Sequence, residues 1–192
     1  ACYKPKEEFW VGYCGSLSDS YDIGIVIDAI KSLDNQNTRF VCMGDGHLKE
    51  KFMKQAEEAK INFSFTGKLE YKSMCQLLSC VDVVVNPIKG RSAASIINKH
   101  ADYAASGKPV INTQDSQEYR RLVDDYKMGF NAENGNSAQV AGKIRYFMGN
   151  TKETITYGEN AKECATTLFD RKHTYLRILD AVLNHENSNY QS

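Results

Sequence analysis

The sequence predicts an α/β fold in which a parallel β-sheet carries helices on both faces. Apolar, strand-like stretches alternate with segments of helical periodicity along most of the chain. Glycine or proline ends several of the strand-like stretches, as at Gly15, Gly67 and Pro87. Because parallel strands need long crossover connections, helices between successive strands favour a parallel sheet.

The first half of the chain contains four predicted strands, with a helix after each of the first three. The predicted strands are residues 9–15, 38–43, 61–67 and 81–87. The first helix is expected to begin at Ser20 as N-cap and to stop at Asp34, and the next two cover residues 47–60 and 73–79. Gly44-Asp45-Gly46 is interpreted mainly as a turn in which Asp45 and the glycines supply unusual backbone angles, with direct ligand contact as the alternative.

Residues 95–113 predict a helix, a glycine stop and a buried strand. Ser95 is suited to the N-cap, Gly107 to the position after the helix, and Pro109 leads into the strand. The helix is expected near residues 95–106. Its core face is predicted to consist of small and aliphatic residues at helical spacing, namely Ile97, Ala101, Ala104 and Ala105.

A polar stripe on the same helix could hold a ligand. Ser95, Asn98 and Asp102 share one side, and Lys99 lies beside them. Free N–H groups at residues 95–98 favour a diphosphate, and Asp102, about 10 Å away, could accept hydrogen bonds from sugar hydroxyls. The alternative is an amphipathic helix whose polar stripe only meets water.

The remainder of the chain is expected to add one strand and several helices. The strand covers residues 127–131, and the preceding helix covers residues 117–124. Ser137 is predicted to cap a helix that ends near residue 148, and another helix covers residues 153–166. Asp170 is expected to cap a final helix before a polar tail at 186–192.

Composition excludes several classes of protein. At 192 residues the chain has the size of one domain, and 24 basic residues balance 24 acidic ones, which argues against a nucleic-acid surface. The six cysteines form no C-x-x-C pair, and the four histidines show no zinc spacing, so neither a disulfide framework nor a metal is predicted. No apolar run is long enough to cross a membrane, and no signal peptide is recognisable, so a cytoplasmic location is expected.

Motifs for nucleophilic or dinucleotide chemistry are missing from the sequence. It contains no G-x-S-x-G elbow, no P-loop and no G-x-G-x-x-G after the first strand. His100 lies between two helix faces and is expected to have a packing or rim role. No catalytic residue is assigned.

Residues 102–111, DYAASGKPVI, resemble the donor-binding helix of retaining nucleotide-sugar glycosyltransferases with the GT-B fold. That family commonly has E-x7-E followed by A-x-A-[SA]-G-[KL]-P-V-I. Asp102 stands at the second acidic position, whereas Ala94 replaces the first glutamate. The segment SIINK at 95–99 is similar to the S-I-P-N-K form of capsule and lipopolysaccharide transferases.

Two further segments carry the resemblance. Gly15-Ser16-Leu17 is similar to the family's G-R-L-x-x-x-K-G loop, but Ser16 and Tyr21 replace the arginine and the lysine that hold the diphosphate. The basic loop at 88–94 could partly replace those charges or could simply be solvated. Phe65-Thr66-Gly67 resembles the family's F-x-G, after which main-chain groups near Lys68 and Leu69 position the base.

The resemblance implies a Rossmann-like domain, about residues 9–184, that is the C-terminal half of a GT-B enzyme and ends in C-terminal helices. The expected function is transfer of a hexose from a nucleotide-diphosphate sugar to a polysaccharide or lipid-linked acceptor, without cofactor or metal. The N-terminal acceptor half is missing from this chain, so isolated activity is not expected, and membrane attachment would occur through that half. The predicted donor-binding residues are Gly15, Ser16, Lys68, Leu69, Ser95, Ile96, Ile97, Asn98 and Asp102.

Two alternatives remain open at this point. A nucleotide-sugar 2-epimerase shares the two-domain plan and would give product without any acceptor. A Rossmann-like module that has lost its chemistry would serve as a binding or scaffold half. Ala94, Ser16 and Tyr21 keep this last interpretation open, because each removes a charge that active members of the resembled family usually use.

Overall fold

A six-stranded parallel sheet forms the centre of the molecule. The computed structural model describes residues 4–90 and 97–170. The strand order is β3-β2-β1-β4-β5-β6, and every neighbouring pair is parallel, as the sequence predicts. The strands are β1 (Phe9–Cys14), β2 (Thr38–Met43), β3 (Asn62–Phe65), β4 (Val83–Asn86), β5 (Val110–Asn112) and β6 (Gly129–Asn131).

Seven α-helices lie in the described part of the chain. They are α1 (Ile23–Leu33), α2 (Lys49–Ala59), α3 (Tyr71–Leu78), α4 (Asn98–Ser106), α5 (Gln117–Asp125), α6 (Ser137–Gly149) and α7 (Thr151–Cys164). A π-helical segment, Ala165–Phe169, continues α7. The predicted helix that begins at Asp170 lies outside the described residues.

Two apolar cores cover the two faces of the sheet. Helices α1, α2 and α6 contribute buried side chains to one core, and α3, α4, α5 and α7 contribute to the other. Successive strand residues alternate between the cores: Val83 and Val85 lie in the first and Val84 in the second. The prediction of helices on both faces is confirmed.

Two helix starts differ from the sequence prediction. Helix α1 begins after Asp22 rather than Ser20, because Tyr21 is held in a β-bridge with Ile88. Helix α6 has Asn136 rather than Ser137 as N-cap, and the Asn136 side chain accepts from the Gln139 N–H at 3.0 Å. In both cases a neighbouring contact selects the cap among adjacent polar residues.

The strand order reverses between β1 and β4. These strands pair only over Val11–Gly12 and Val83–Val84, and their carboxyl ends are not paired with each other. In open α/β sheets ligands bind outside the carboxyl ends of the strands at such a switch point. The candidate site is therefore sought at this edge of the sheet.

Candidate functional site

A cleft of about 610 Å³ opens at the carboxyl ends of β1 and β2. The turn that leads into α3 closes its other side. The lining residues are Cys14, Gly15, Ser16, Met43, Gly44, Asp45, Lys68, Leu69, Glu70, Tyr71 and Met74. The structure therefore brings four of the predicted donor-binding residues, from two distant segments, into one cleft.

The loop after β1 is fixed by backbone hydrogen bonds to the loop after β2. The Gly15 N–H donates to the Met43 carbonyl at 3.0 Å, and the Leu17 N–H donates to the Asp45 carbonyl at 2.9 Å. Gly15 has a φ of +151°, which favours glycine. On the buried side of the loop, the Tyr13 hydroxyl donates to the Ser16 carbonyl at 2.7 Å. The backbone at Gly15 and Ser16 is thus held in one conformation at the cleft wall.

The Gly44-Asp45-Gly46 turn has a different role from the one predicted. A β-carbon added at Gly44 would lie 1.8 Å from the Gly15 carbonyl oxygen, and one at Gly46 would lie 2.3 Å from that of Leu17. Neither glycine adopts a left-handed φ. Close approach of two backbones, rather than unusual backbone angles, requires glycine here.

Helix α4 begins at Asn98, three residues later than predicted. Ile97 has the extended backbone of an N-cap residue, with φ −122° and ψ 161°, and its N–H donates to Nδ1 of His100 at 3.2 Å. The predicted phosphate-facing residues Ser95 and Ile96 lie outside the described residues. The N–H of Ile97 is already bonded, and the N–H groups of the first helical turn that have no acceptor among the described residues are those of Asn98 and Lys99.

The buried face of α4 differs from the predicted one. Its buried residues are Lys99, His100, Tyr103 and Ala104, whereas Ala105 is exposed and Ala101 is half-buried. Compared with the predicted orientation, α4 is rotated about its own axis. The reason is that the side chains of Tyr103 and His100 form polar contacts inside the protein. Sequence periodicity missed this, because lysine and histidine are normally placed on the outer face.

Tyr103 attaches α4 to the end of β1. Its buried hydroxyl accepts from the Cys14 N–H at 2.9 Å and approaches the Cys14 carbonyl at 3.3 Å. Burial raises the pKa of this phenol well above its usual value, so it stays protonated. This contact sets the position of the α4 N-terminus relative to Gly15, and it was not predicted.

His100 supports the same helix end from below. Its ring stacks on Tyr119 with centroids 3.5 Å apart, and its Nε2 lies 3.2 Å from the side-chain amide of Asn86. Burial and the nearby Lys99 lower the His100 pKa to about 3, so the ring is neutral. The expected packing role of His100 is consistent with these contacts.

Asp102 lies at the edge of the cleft and is held by Tyr71. The Tyr71 hydroxyl donates to Oδ1 of Asp102 at 2.9 Å, which raises the Tyr71 pKa to about 12. Tyr71 lines the main cleft and also a second groove of about 470 Å³, to which Asp102 contributes. The exposed Tyr71 side chain therefore lines both the cleft that contains the Gly15 loop and the groove that contains Asp102.

The remaining predicted residues lie at different depths around this site. Lys68 is exposed and Leu69 is half-buried at the start of the turn that leads into α3. Asn98 is exposed and Ile97 is half-buried at the start of α4. Their contact with a donor stays a prediction.

Metal and membrane features were also sought in the described residues. Among residues 4–90 and 97–170, no group of three or more histidine, cysteine, aspartate or glutamate side chains is placed to hold a metal ion. Within the same residues, no helix has the length and apolar character needed to span a bilayer.

Comparison with known proteins gives one family and several relatives. The model of the family "Glycosyl transferases group 1" matches residues 8–150. An uncharacterised glycosyltransferase of Methanocaldococcus jannaschii is 25% identical over 171 residues, which cover 88% of this chain and 45% of the relative.

Solved structures share the fold. Anabaena HepE in complex with UDP is 22% identical, with a TM-score of 0.79 over 93% of this chain and 49% of that protein. WaaG, a glycosyltransferase involved in lipopolysaccharide biosynthesis, is 21% identical, with a TM-score of 0.73 over 85% of this chain and 44% of WaaG. This chain spans less than half the length of each of these relatives.

Proposed function

Because the chain belongs to the group 1 glycosyl transferases, we propose that it is the donor-binding, C-terminal half of a two-domain enzyme. The donor is a nucleotide-diphosphate sugar. The observation that carries this proposal is the convergence of the Gly15 loop and the Lys68-Leu69 turn in one cleft, with Asp102 at its edge. HepE, which shares the fold, is solved with UDP, and this supports a uridine nucleotide as the first to test.

The arrangement assigns a part of the donor to each segment. The fixed backbone at Gly15 and Ser16 and the free N–H groups of Asn98 and Lys99 would bind the diphosphate. Main-chain groups at Lys68 and Leu69 would position the base, and the Oδ2 atom of Asp102 would accept from the ribose. Tyr71, which lines both the main cleft and the groove of Asp102, would lie against the nucleoside.

The chemical step breaks the bond between the anomeric carbon and the β-phosphate oxygen. The electron pair leaves on the diphosphate, the acceptor oxygen bonds to the anomeric carbon, and the acceptor proton passes to the diphosphate or to water. Stabilising the departing charge is the main contribution of this half, so the catalysis is electrostatic. No metal is required in this proposal, and we expect EDTA to leave UDP affinity unchanged within about twofold.

The acceptor is proposed to be a growing polysaccharide or a lipid-linked glycan. The SIINK segment and the shared fold of WaaG, a protein of lipopolysaccharide biosynthesis, support this class. The acceptor would bind to the other half of the enzyme, at the inner face of the membrane. The free thiols of Cys14, Cys42, Cys75, Cys80 and Cys164 support a reducing, cytoplasmic location.

Calorimetric titration of this chain with UDP, GDP and ADP tests the donor site. We expect saturable binding of one nucleotide, and Asp102→Ala should weaken it by about tenfold, since a hydrogen bond to a charged group is lost. The matched control is Tyr71→Phe, which keeps the carboxylate and removes only its tyrosine partner. It should change affinity by less than about threefold. Equal losses in both variants, or no nucleotide binding by the folded chain, would contradict the assignment.

A further inference from the structure

The amino group of Lys99 is buried, and it has no polar partner in residues 4–90 or 97–170. The residue is 9% exposed, and among the described residues its Nζ makes no hydrogen bond and no ion pair. Lysine is rarely buried unless it is paired. An unpaired ammonium in this position costs free energy that an incoming anion could offset.

Two tyrosine rings and the Gly15 loop surround this amino group. Nζ lies 3.8 Å from the ring centroid of Tyr21 and 4.7 Å from that of Tyr13. A β-carbon added at Gly15 would lie 3.0 Å from Nζ. The ammonium is therefore directed at the backbone of the loop that the proposed function assigns to the diphosphate.

Tyr21, which contacts the Lys99 amino group, stands at a motif position where a basic residue is expected. The G-R-L-x-x-x-K-G motif that the Gly15 loop resembles has a lysine at the position of Tyr21 and an arginine at that of Ser16. The Tyr21 ring instead supports a lysine that comes from α4, through a cation–π contact. The Lys99 amino group therefore lies against the side chain that stands at the lysine position of the motif.

We propose that Lys99 is the cation that binds the donor diphosphate at Gly15 and replaces the basic residues absent at Ser16 and Tyr21. This inference rests on the proposed function. It makes Lys99 a specificity determinant for diphosphate-linked donors rather than for nucleosides.

Binding should be coupled to uptake of a proton. Burial lowers the Lys99 pKa to about 7, so the ammonium is only partly formed in the free protein near neutral pH. A bound diphosphate would raise this pKa again. The titratable groups that face Lys99 are the thiols of Cys14 and Cys42, the phenols of Tyr13 and Tyr21, and the neutral ring of His100. In the described part of the chain, none of the groups that shift the Lys99 pKa is a carboxylate. Burial raises the pKa of both thiols and both phenols, so each stays protonated near neutral pH.

The test compares UDP with uridine on Lys99→Met. Methionine keeps the unbranched apolar part of the side chain and removes the charge, so the variant should fold. We expect UDP affinity to fall by about tenfold or more, and uridine affinity to stay unchanged within about twofold. Lys54→Met, on the exposed side of α2, removes the same charge at a residue that does not line the cleft and serves as the control.

Calorimetry at about pH 8 in HEPES and in Tris gives a second readout. The two buffers differ in ionisation enthalpy, so the apparent heat reports proton uptake. We expect the wild-type chain to take up between about half and one proton per UDP, and Lys99→Met to take up none. Unchanged UDP affinity and unchanged uptake in Lys99→Met would overturn this inference alone. No binding of any nucleotide by the wild-type chain would overturn the proposed function and this inference with it.

Discussion

The burial of Lys99 predicts how the stability of the free protein depends on pH. Its pKa is 10.5 in the unfolded chain and about 7 in the native chain. Between these values the unfolded chain binds more protons, so the free energy of unfolding should rise with pH by up to about 1.4 kcal/mol per unit. Burial of Lys99 lowers the free energy of unfolding by its full amount below about pH 7. Above about pH 10.5 this destabilisation vanishes.

Urea denaturation at about pH 7 and pH 9 measures this difference directly. Because other thiols and phenols also titrate, the informative quantity is the free energy of unfolding of the wild-type chain relative to Lys99→Met. We expect Lys99→Met to be the more stable chain near pH 7 and its advantage to shrink towards pH 9. A constant difference between the two chains would show that Lys99 keeps an ordinary pKa.

Residue type predicted part of the candidate site and missed the rest. Gly15, Lys68 and Asp102 follow from motif order, and the structure places all three in or beside one cleft region. The buried Lys99 and the Tyr103 contact could not be predicted from helical periodicity, because they depend on the ring of Tyr21 and the end of β1. The uncharged residues Ser16 and Tyr21 were the available sequence signal for the proposed contribution of a charge from another element.

At the scale of elements, the contact between the β1 and β2 loops is the part of the site most sensitive to a single methyl group. Gly44→Ala would bring a β-carbon to 1.8 Å from the Gly15 carbonyl oxygen, so the Gly15 loop must shift. We expect a loss of about 1–3 kcal/mol in the free energy of unfolding and weaker UDP binding. Thermal denaturation and calorimetry measure the two effects.

Gly142→Ala is the matched control for that substitution. Gly142 lies within α6, and a β-carbon there would meet no atom within 4 Å. Alanine should stabilise this helix by about 0.5–1 kcal/mol and leave UDP affinity unchanged. Equal effects of the two alanines on UDP binding would contradict the role given to the close contact at Gly44.

Strand positions were predicted better than helix starts for a physical reason. Apolar, β-branched runs such as Thr38–Met43 define a buried strand on their own. The start of a helix depends on which of several nearby residues makes a hydrogen bond or a contact that fixes the chain there. The observed cap residues, Asp22, Asn136 and Ile97, are each selected by such a contact. The one-turn shift of α4 moved the proposed phosphate contacts from residues 95–98 to 98–99.

At the scale of the molecule, the alternation of strands and helices was sufficient to predict the parallel sheet and its two cores. The strand order could not be read from the sequence, since either direction of each crossover buries similar side chains. The switch between β1 and β4 places the Gly15 loop and the start of α4 together at one edge. Under the proposed function, this cleft would bind the donor and the acceptor would bind to the other half of the enzyme.

This division predicts that the chain binds donor without transferring sugar. We expect no UDP release above background from UDP-glucose, UDP-galactose or UDP-N-acetylglucosamine, because the acceptor half is needed to complete the reaction. A coupled assay for UDP measures this. Rapid release by the purified chain alone, with or without acceptor, would contradict the proposed division of labour.

The most direct test of the account is to locate bound UDP by NMR, which the 21.6 kDa size of the chain permits. We expect the largest amide shift changes on saturation at Gly15, Ser16, Lys68, Leu69 and Asn98, with smaller ones at Asp102. Saturable changes centred elsewhere, for example around Gly107 and Lys162, would contradict the donor site described above, as would the absence of any change.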